Sequence, residues 1–159
     1  MSRVQEVCDE VRAMLADQLP EPASVSRAYS PSVDRKDFSG RTIWVVPAAY
    51  MDAQRLARKL VHKGVKVIVV VAERYESPAQ SDPDEPVPNE WVDTRVDWVE
   101  EHVFDLLNET GVHDPAGRLL GRFQPWSCEV TVVFDAERLN TDKVFWSLIE
   151  VEYRETAEG

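Results

Sequence analysis

The sequence predicts an α+β fold, an α/β sandwich in which a mixed, mostly antiparallel sheet carries two long helices on one face. Residues 2–19 and 89–110 place apolar side chains at the three-and-four spacing of a helix stripe. Residues 65–71 are an almost unbroken β-branched run. Residues 128–134 and 144–153 alternate as strands do, and they are predicted to pair as a hairpin. Because helices and strands do not alternate regularly, a purely parallel sheet is disfavoured.

Each predicted helix has a recognisable start and stop. Ser2 can cap the first helix and Pro20 ends it, whereas Asn89 can cap the second and Gly111 stops it. The first apolar stripe consists of Val4, Val7, Cys8, Val11, Met14, Leu15 and Leu19. The second consists of Val92, Val96, Val99, Val103, Leu106 and Leu107, widened by Trp91 and Trp98.

The remaining strands are predicted from β-branched and aromatic content. Residues 23–29 suit an edge strand, and residues 118–123 suit a short one. Residues 41–46 form a strand that should end at Pro47 or lie at an edge, since proline lacks the backbone N–H that a ladder needs. The run at 65–71 is predicted to be central and covered on both faces.

Residues 51–62 are compatible with a short helix, and Gly64 would stop it. Its basic cluster consists of Arg55, Arg58, Lys59 and Lys63. Three interpretations remain open: a solvated helix face, a contact with an acidic neighbour of the same protein in an oligomer, and a phosphate site.

Residues 76–88 form a Pro-rich acidic loop through which neither helix nor strand can run. The loop contains Pro78, Pro83, Pro86 and Pro88 among Asp82, Asp84 and Glu85. A surface loop, a partner-binding arm that orders on assembly and a cation site are the alternatives. Residues 34–40 are predicted as a turn-rich loop, residues 136–143 as a polar connection and residues 156–159 as a flexible tail.

Length and composition indicate one globular domain, residues 1–159, with 43% hydrophobic and 30% charged residues. The formal charge of −11 disfavours specific nucleic-acid binding, which requires a Lys/Arg surplus. The early acidic residues argue against a secretory signal, and no apolar run is long enough for a membrane span. Cys8 and Cys128 have no metal-ligand spacing and are expected to be inert thiols rather than a disulfide or redox pair, which favours a reducing cytoplasm.

No catalytic, cofactor-binding or metal-binding motif is found in the sequence. The glycine pattern of a phosphate-binding loop is absent, and the three histidines have no zinc spacing. The nearest match to an enzyme is a metal-dependent nuclease of the restriction-endonuclease-like class, with Asp34 or Asp37 followed by Glu73. The supporting lysine is replaced by Tyr75, so we expect no enzyme.

A set of features in a fixed order resembles phage neck and tail proteins, particularly the tail terminators of long-tailed phages. They are Arg27-Ala28-Tyr29-x-Pro31, the 34–40 loop, the 42–47 strand, Arg55-x-x-Arg58 and a final hairpin ending in Val151-Glu152-Tyr153-Arg154. The element order matches over nearly the whole chain.

The resemblance implies a non-catalytic virion protein, assembled in the host cytoplasm, without cofactors. Such proteins form rings, commonly of six copies, that cap the tail tube and join it to the head. The implied partners are further copies, tail-tube proteins and head–tail connector proteins, with DNA passing through unbound. The expected interface residues are Arg55, Arg58, Lys59, Asp82, Asp84 and Glu85. A head-completion or adaptor protein of the same neck, and a small cellular interaction domain, are the competing interpretations.

Overall fold

A computed structural model describes residues 3–19, 23–29, 40–57, 60–76, 85–109 and 124–158. In chain order the elements are α1 (Arg3–Gln18), β1 (Ser24–Arg27), β2 (Arg41–Ala57), β3 (Leu60–Arg74), α2 (Asn89–Trp98), a π-helical segment (Val99–Phe104), α3 (Asp105–Glu109), β4 (Gln124–Val132), α4 (Ala136–Asp142) and β5 (Val144–Glu158). We call residues 89–109 the long helix, because α2, the π-helical segment and α3 follow one another without a break.

The five strands form one mixed sheet in the order β1-β2-β3-β5-β4. Only β1 and β2 pair in parallel, and the other three neighbouring pairs are antiparallel. The predicted α+β fold is therefore confirmed. The predictions of an edge position for β1, a central position for β3 and a final β4–β5 hairpin are also confirmed.

Both predicted helices pack on the same face of the sheet. The main core joins Val7 and Val11 of α1, Val103 and Leu107 of the long helix, and alternate residues of β3 such as Val67. These side chains are at most a few per cent exposed, and each contributes roughly 1.5–3 kcal/mol by leaving water. The helical stripes read from the sequence are thus the faces that the sheet covers.

The π-helical segment has a packing explanation. Val99, Val103 and Leu107 are all buried and are spaced four apart. In a regular α-helix, residues four apart drift by about 40° around the axis. A wider helical turn removes part of that drift, so all three side chains can keep facing the sheet.

The opposite face of the sheet carries a smaller core. Trp44, Val70 and Trp146 are buried there, and the two tryptophan rings lie 5.7 Å apart. The guanidinium of Arg138, on α4, lies 4.1 Å from the centre of the Trp146 ring. The prediction that the middle of β3 is covered on both faces is confirmed by this cluster.

The prediction of a polar connection at residues 136–143 is wrong, because most of this segment is the helix α4. The Asp135 carboxylate caps it by accepting a hydrogen bond from the Arg138 backbone N–H at 3.1 Å. Lys143 ends it in the left-handed conformation, with φ of 57°. The signal in the sequence was the N-cap aspartate.

The predicted helix at residues 51–62 is also wrong. These residues belong to a long antiparallel hairpin, in which Asp52 is opposite Gly64 and Ala57 is opposite Leu60. Strand β3 pairs on its other side with β5, as far as Leu60 opposite Glu158. Because β3 gains two ladders of backbone hydrogen bonds, tertiary pairing overrides the local helix propensity.

Two further boundary predictions are corrected by the same strands. Strand β2 does not end at Pro47, which lies opposite Val67. Among the described residues β1 pairs with β2 only up to Val45, so the missing N–H of Pro47 interrupts no ladder on that side. Residues 156–158, predicted as a flexible tail, are paired with β3 in strand β5. The expected features at 34–39, 77–84 and 118–123 lie outside the described residues.

Candidate interaction surfaces

One end of the sheet is a three-stranded extension, which we call the ribbon (residues 51–57, 60–63 and 155–158). Within the described parts of the chain, these residues pair with one another and, where the extension joins the rest of the sheet, with Gly64 and Val65. Among the described residues, the pairing of β4 begins at Gln124, opposite Arg154, and does not include the ribbon. From Gly64 to its end at Leu60, the ribbon extends roughly 13 Å at about 3.3 Å per residue.

Two of the four residues of the predicted basic cluster lie on the ribbon. Arg55 lies on β2, opposite Val61, and Lys63 lies on β3. Arg58 and Lys59 follow Ala57 in the chain and lie outside the described residues. The described members of the basic cluster, Arg55 and Lys63, therefore lie on strands and not on a helix as predicted, while the role of the cluster in an interface remains a prediction.

Of the predicted acidic interface residues, Glu85 is the one that the structure describes, and it is far from the ribbon. Asp82 and Asp84 lie outside the described residues, whereas Glu85 is exposed, and its backbone carbonyl accepts a hydrogen bond from Lys143 Nζ at 3.0 Å. Lys143 adjoins Val144, which is opposite Arg74 at the far end of β3. Arg74 and Leu60 are about 14 residues apart, or roughly 46 Å along the strand. The structure thus does not bring Glu85 together with the basic cluster.

An apolar groove, which the sequence did not predict, lies between the long helix and the strands β4 and β5. Its volume is about 230 Å³. The lining residues are Val96, Val99, Glu100, Phe104, Val130, Val133 and Ser147. Val133 is 48% exposed, and the adjacent Phe134 is 44% exposed. An apolar cavity of about 150 Å³ is already large enough for a benzene-sized group, so this groove has room for an aliphatic side chain.

An acidic stripe runs along the long helix beside the groove. It consists of the exposed residues Glu90, Asp93, Asp97, Glu100 and Glu101. Like charges three or four positions apart on a helix repel one another by about 0.2–0.5 kcal/mol per pair. Within the part of the chain that the structure describes, none of the five carboxylates forms an ion pair. The stripe therefore gives this surface a negative potential that a cationic partner would relieve.

Glu73, the residue nearest to a nuclease ligand, is held in a buried ion-pair network. One carboxylate oxygen accepts from Arg41 Nε at 3.1 Å, and the other lies 2.6 Å from an Arg95 nitrogen. The two guanidinium groups also stack on tryptophan rings. The guanidinium carbon of Arg41 lies 4.0 Å from the centre of the Trp98 ring, and that of Arg95 lies 4.3 Å from the centre of the Trp91 ring. Because both carboxylate oxygens of Glu73 are paired with arginines, they are poor ligands for magnesium. The ion pairs instead connect α2 to β2 and β3.

The two cysteines have the environment of inert thiols. Cys8 is buried, Cys128 is half-buried and neither forms a disulfide. Burial raises the pKa of each thiol from 9.0 to about 11, so the reactive thiolate is scarce at neutral pH. Burial also raises the pKa of the Tyr153 phenol, which is fully enclosed.

Within the described ranges, no group of three or more His, Cys, Asp or Glu side chains could hold a metal ion. The helices in that part of the chain lack the length and apolar character needed to cross a membrane. The chain matches no protein-family model, and no curated protein matches it in sequence.

Proposed function

We propose that this protein is a structural component of a phage neck, a tail terminator whose copies form a ring that caps the tail tube and joins it to the head. The observation that carries the proposal is the ribbon, which extends the sheet at one end and includes Arg55 and Lys63 of the basic cluster. The resemblance carried by the Arg27 motif, the 42–47 strand and the final hairpin supports the same function.

A ring requires an interface that joins two different surfaces of neighbouring copies, so that rotation closes the assembly. The chain has such different surfaces, since Arg55 and Lys63 are on the ribbon and the exposed acidic stripe lies on the long helix. Charge complementarity between surfaces mainly sets register and partner choice. The net charge of −11 would also let DNA pass through a channel without being retained.

Deleting the gene from a phage that carries it, followed by electron microscopy of the lysate, tests the proposal. A tail terminator predicts filled heads separated from tails of irregular length, because nothing stops tube growth or joins the two parts. Tails of uniform length beside heads that have lost DNA would instead indicate a head-completion or adaptor protein. Intact, infectious particles would contradict both neck functions.

A further inference from the structure

The apolar groove beside the long helix leaves apolar side chains in contact with solvent. Val133 is 48% exposed, Phe134 is 44% exposed, and Val96 on the helix side is only half-buried. Covering such surface is favourable by about 25 cal/mol per Å². We infer that the groove receives a basic amphipathic helix of another protein, whose apolar face fills the groove and whose cations lie beside the acidic stripe. This docking contact names the chemistry of a partner and is independent of the proposed neck function.

Two sides of the long helix make different contacts. Arg95 lies on the side that is held to the sheet, where its guanidinium is 2.6 Å from the Glu73 carboxylate. Val96 is about 100° further around the axis, and it lines the groove together with Val99 and Phe104. Val99 and Phe104 belong to the π-helical segment, and turns of this kind recur at functional sites. The groove therefore lies on a different side of the long helix from the one that the Glu73 network holds.

The acidic stripe gives the groove its charge preference. Asp93, Asp97 and Glu100 are spaced by four and then three residues, so they lie on one side of the helix, and Glu100 also lines the groove. From Glu90 to Glu101 the stripe is roughly 16 Å long, or about three helical turns. Relief of the repulsion along this length requires several cations at a similar spacing, which a basic helix supplies. Nucleic acids and anionic lipid surfaces are repelled by the same carboxylates.

A helix fits the groove better than an added strand does. Strand β4 is the edge strand beside the groove, but its register with β5 is irregular between Pro125 and Ser127 and again between Val130 and Val132. Pro125 also has no backbone N–H to donate to a new ladder. An irregular edge of this kind disfavours pairing with a further strand. The long helix instead presents rows of side chains onto which a second helix packs.

The described helices of this chain have the wrong charge to be the occupant. Helix α1 has four carboxylates and two arginines, the long helix has seven carboxylates and one arginine, and α4 has two carboxylates and one arginine. A helix from a second copy would therefore bring further carboxylates to an acidic stripe. The occupant is thus a helix of a different protein. Because the site is the groove and the carboxylates that border it, other exposed acids remain available for a contact between copies.

A synthetic peptide and three variants of the full chain test the inference. The peptide has about 18 residues, because shorter isolated helices are marginal, with leucines at helical spacing on one face and lysines on the other. A scrambled peptide of the same composition is its control. The groove variant carries Val133→Glu, and the stripe variant carries Asp97→Lys with Glu100→Lys. The control variant, Asp17→Lys with Glu137→Lys, changes the net charge as the stripe variant does, at exposed positions on α1 and α4.

Circular dichroism establishes that each variant is folded, and fluorescence anisotropy of the labelled peptide measures its dissociation constant. We expect the amphipathic peptide to bind the unmodified chain at least tenfold more tightly than the scrambled peptide, because only the ordered sequence presents one apolar face. The groove variant and the stripe variant should each weaken binding about tenfold, which is the scale of an interface hot spot. The control variant should bind the peptide as tightly as the unmodified chain does.

Four results would overturn the inference: no binding of the amphipathic peptide, equal binding of the two peptides, unchanged affinity in the folded groove variant, or equal weakening in the stripe and control variants. The gene-deleted phage tests the neck function separately. Intact particles from that phage together with groove-dependent binding of the peptide would reject the neck function and retain the docking site. Heads separated from tails, without binding of the peptide, would do the reverse.

Discussion

Replacing Glu73 tests whether the buried ion-pair network is structural. Glu73→Ala leaves the Arg41 and Arg95 guanidiniums, whose side chains are 11% and 22% exposed, without their carboxylate. Breaking a fully buried pair from one side costs about 3–5 kcal/mol. Both arginines retain some contact with water and their stacking on tryptophan. We therefore expect the free energy of unfolding to fall by an amount near the lower end of that range, about 3 kcal/mol.

Urea denaturation followed by tryptophan fluorescence measures this loss, and thermal unfolding should show a midpoint lower by about 6–12 °C. In a double-mutant cycle, Arg95→Ala should cost much less in the Glu73→Ala background than in the unmodified chain. A Glu73→Ala variant destabilised by less than about 1 kcal/mol would refute the reasoning. Magnesium-dependent DNA cleavage by the unmodified chain, abolished in this variant, would support the nuclease interpretation instead.

Two further predictions concern the pH dependence of stability and the cap of α4. The free energy of unfolding should fall as pH rises from about 9 to about 11, because unfolded thiols lose protons there while folded Cys8 and Cys128 keep theirs. Urea titrations at several pH values measure this fall, which should be shallower in a Cys8→Ala/Cys128→Ala variant. The same pH dependence in the variant and in the unmodified chain would contradict the prediction. Asp135→Ala should cost about 1 kcal/mol in the same assay by removing the cap of α4, with Asp135→Asn nearly neutral, and equal losses in both would argue against capping.

The helices and the central strand were predictable because each carries a long, regular pattern. In α1 the stripe from Val7 to Leu15 is continuous, and in β3 the residues from Val67 to Val71 have no good alternative to a strand. Signals of this length specify both the element and its buried face. They also suffice to predict the α+β class and the face on which the helices lie.

The ribbon could not be predicted from local sequence. Residues such as Met51, Ala53, Gln54 and Leu56 favour helix, and the preference that decides the structure comes from β5, about a hundred residues away in the chain. The helix α4 was missed for a different reason. Its seven residues are too few for a periodic pattern, so the N-cap residue Asp135 was the one signal that indicated a helix.

The groove was hidden because it is assembled from distant segments. Val99 and Phe104 come from the long helix, whereas Val130 and Val133 come from the end of the final hairpin. The exposed pair Val133 and Phe134 was the one local signal, two apolar residues at the point where β4 ends. Single exposed apolar residues are common, and they gain meaning here only from the groove beside them.

The mass distribution of the unmodified chain, measured by native mass spectrometry over a range of concentrations, tests most directly whether the protein works by binding copies of itself. The account predicts one closed assembly with a fixed number of copies that does not grow as concentration rises. A chain that remains a monomer throughout, or one that grows into open-ended filaments, would contradict it.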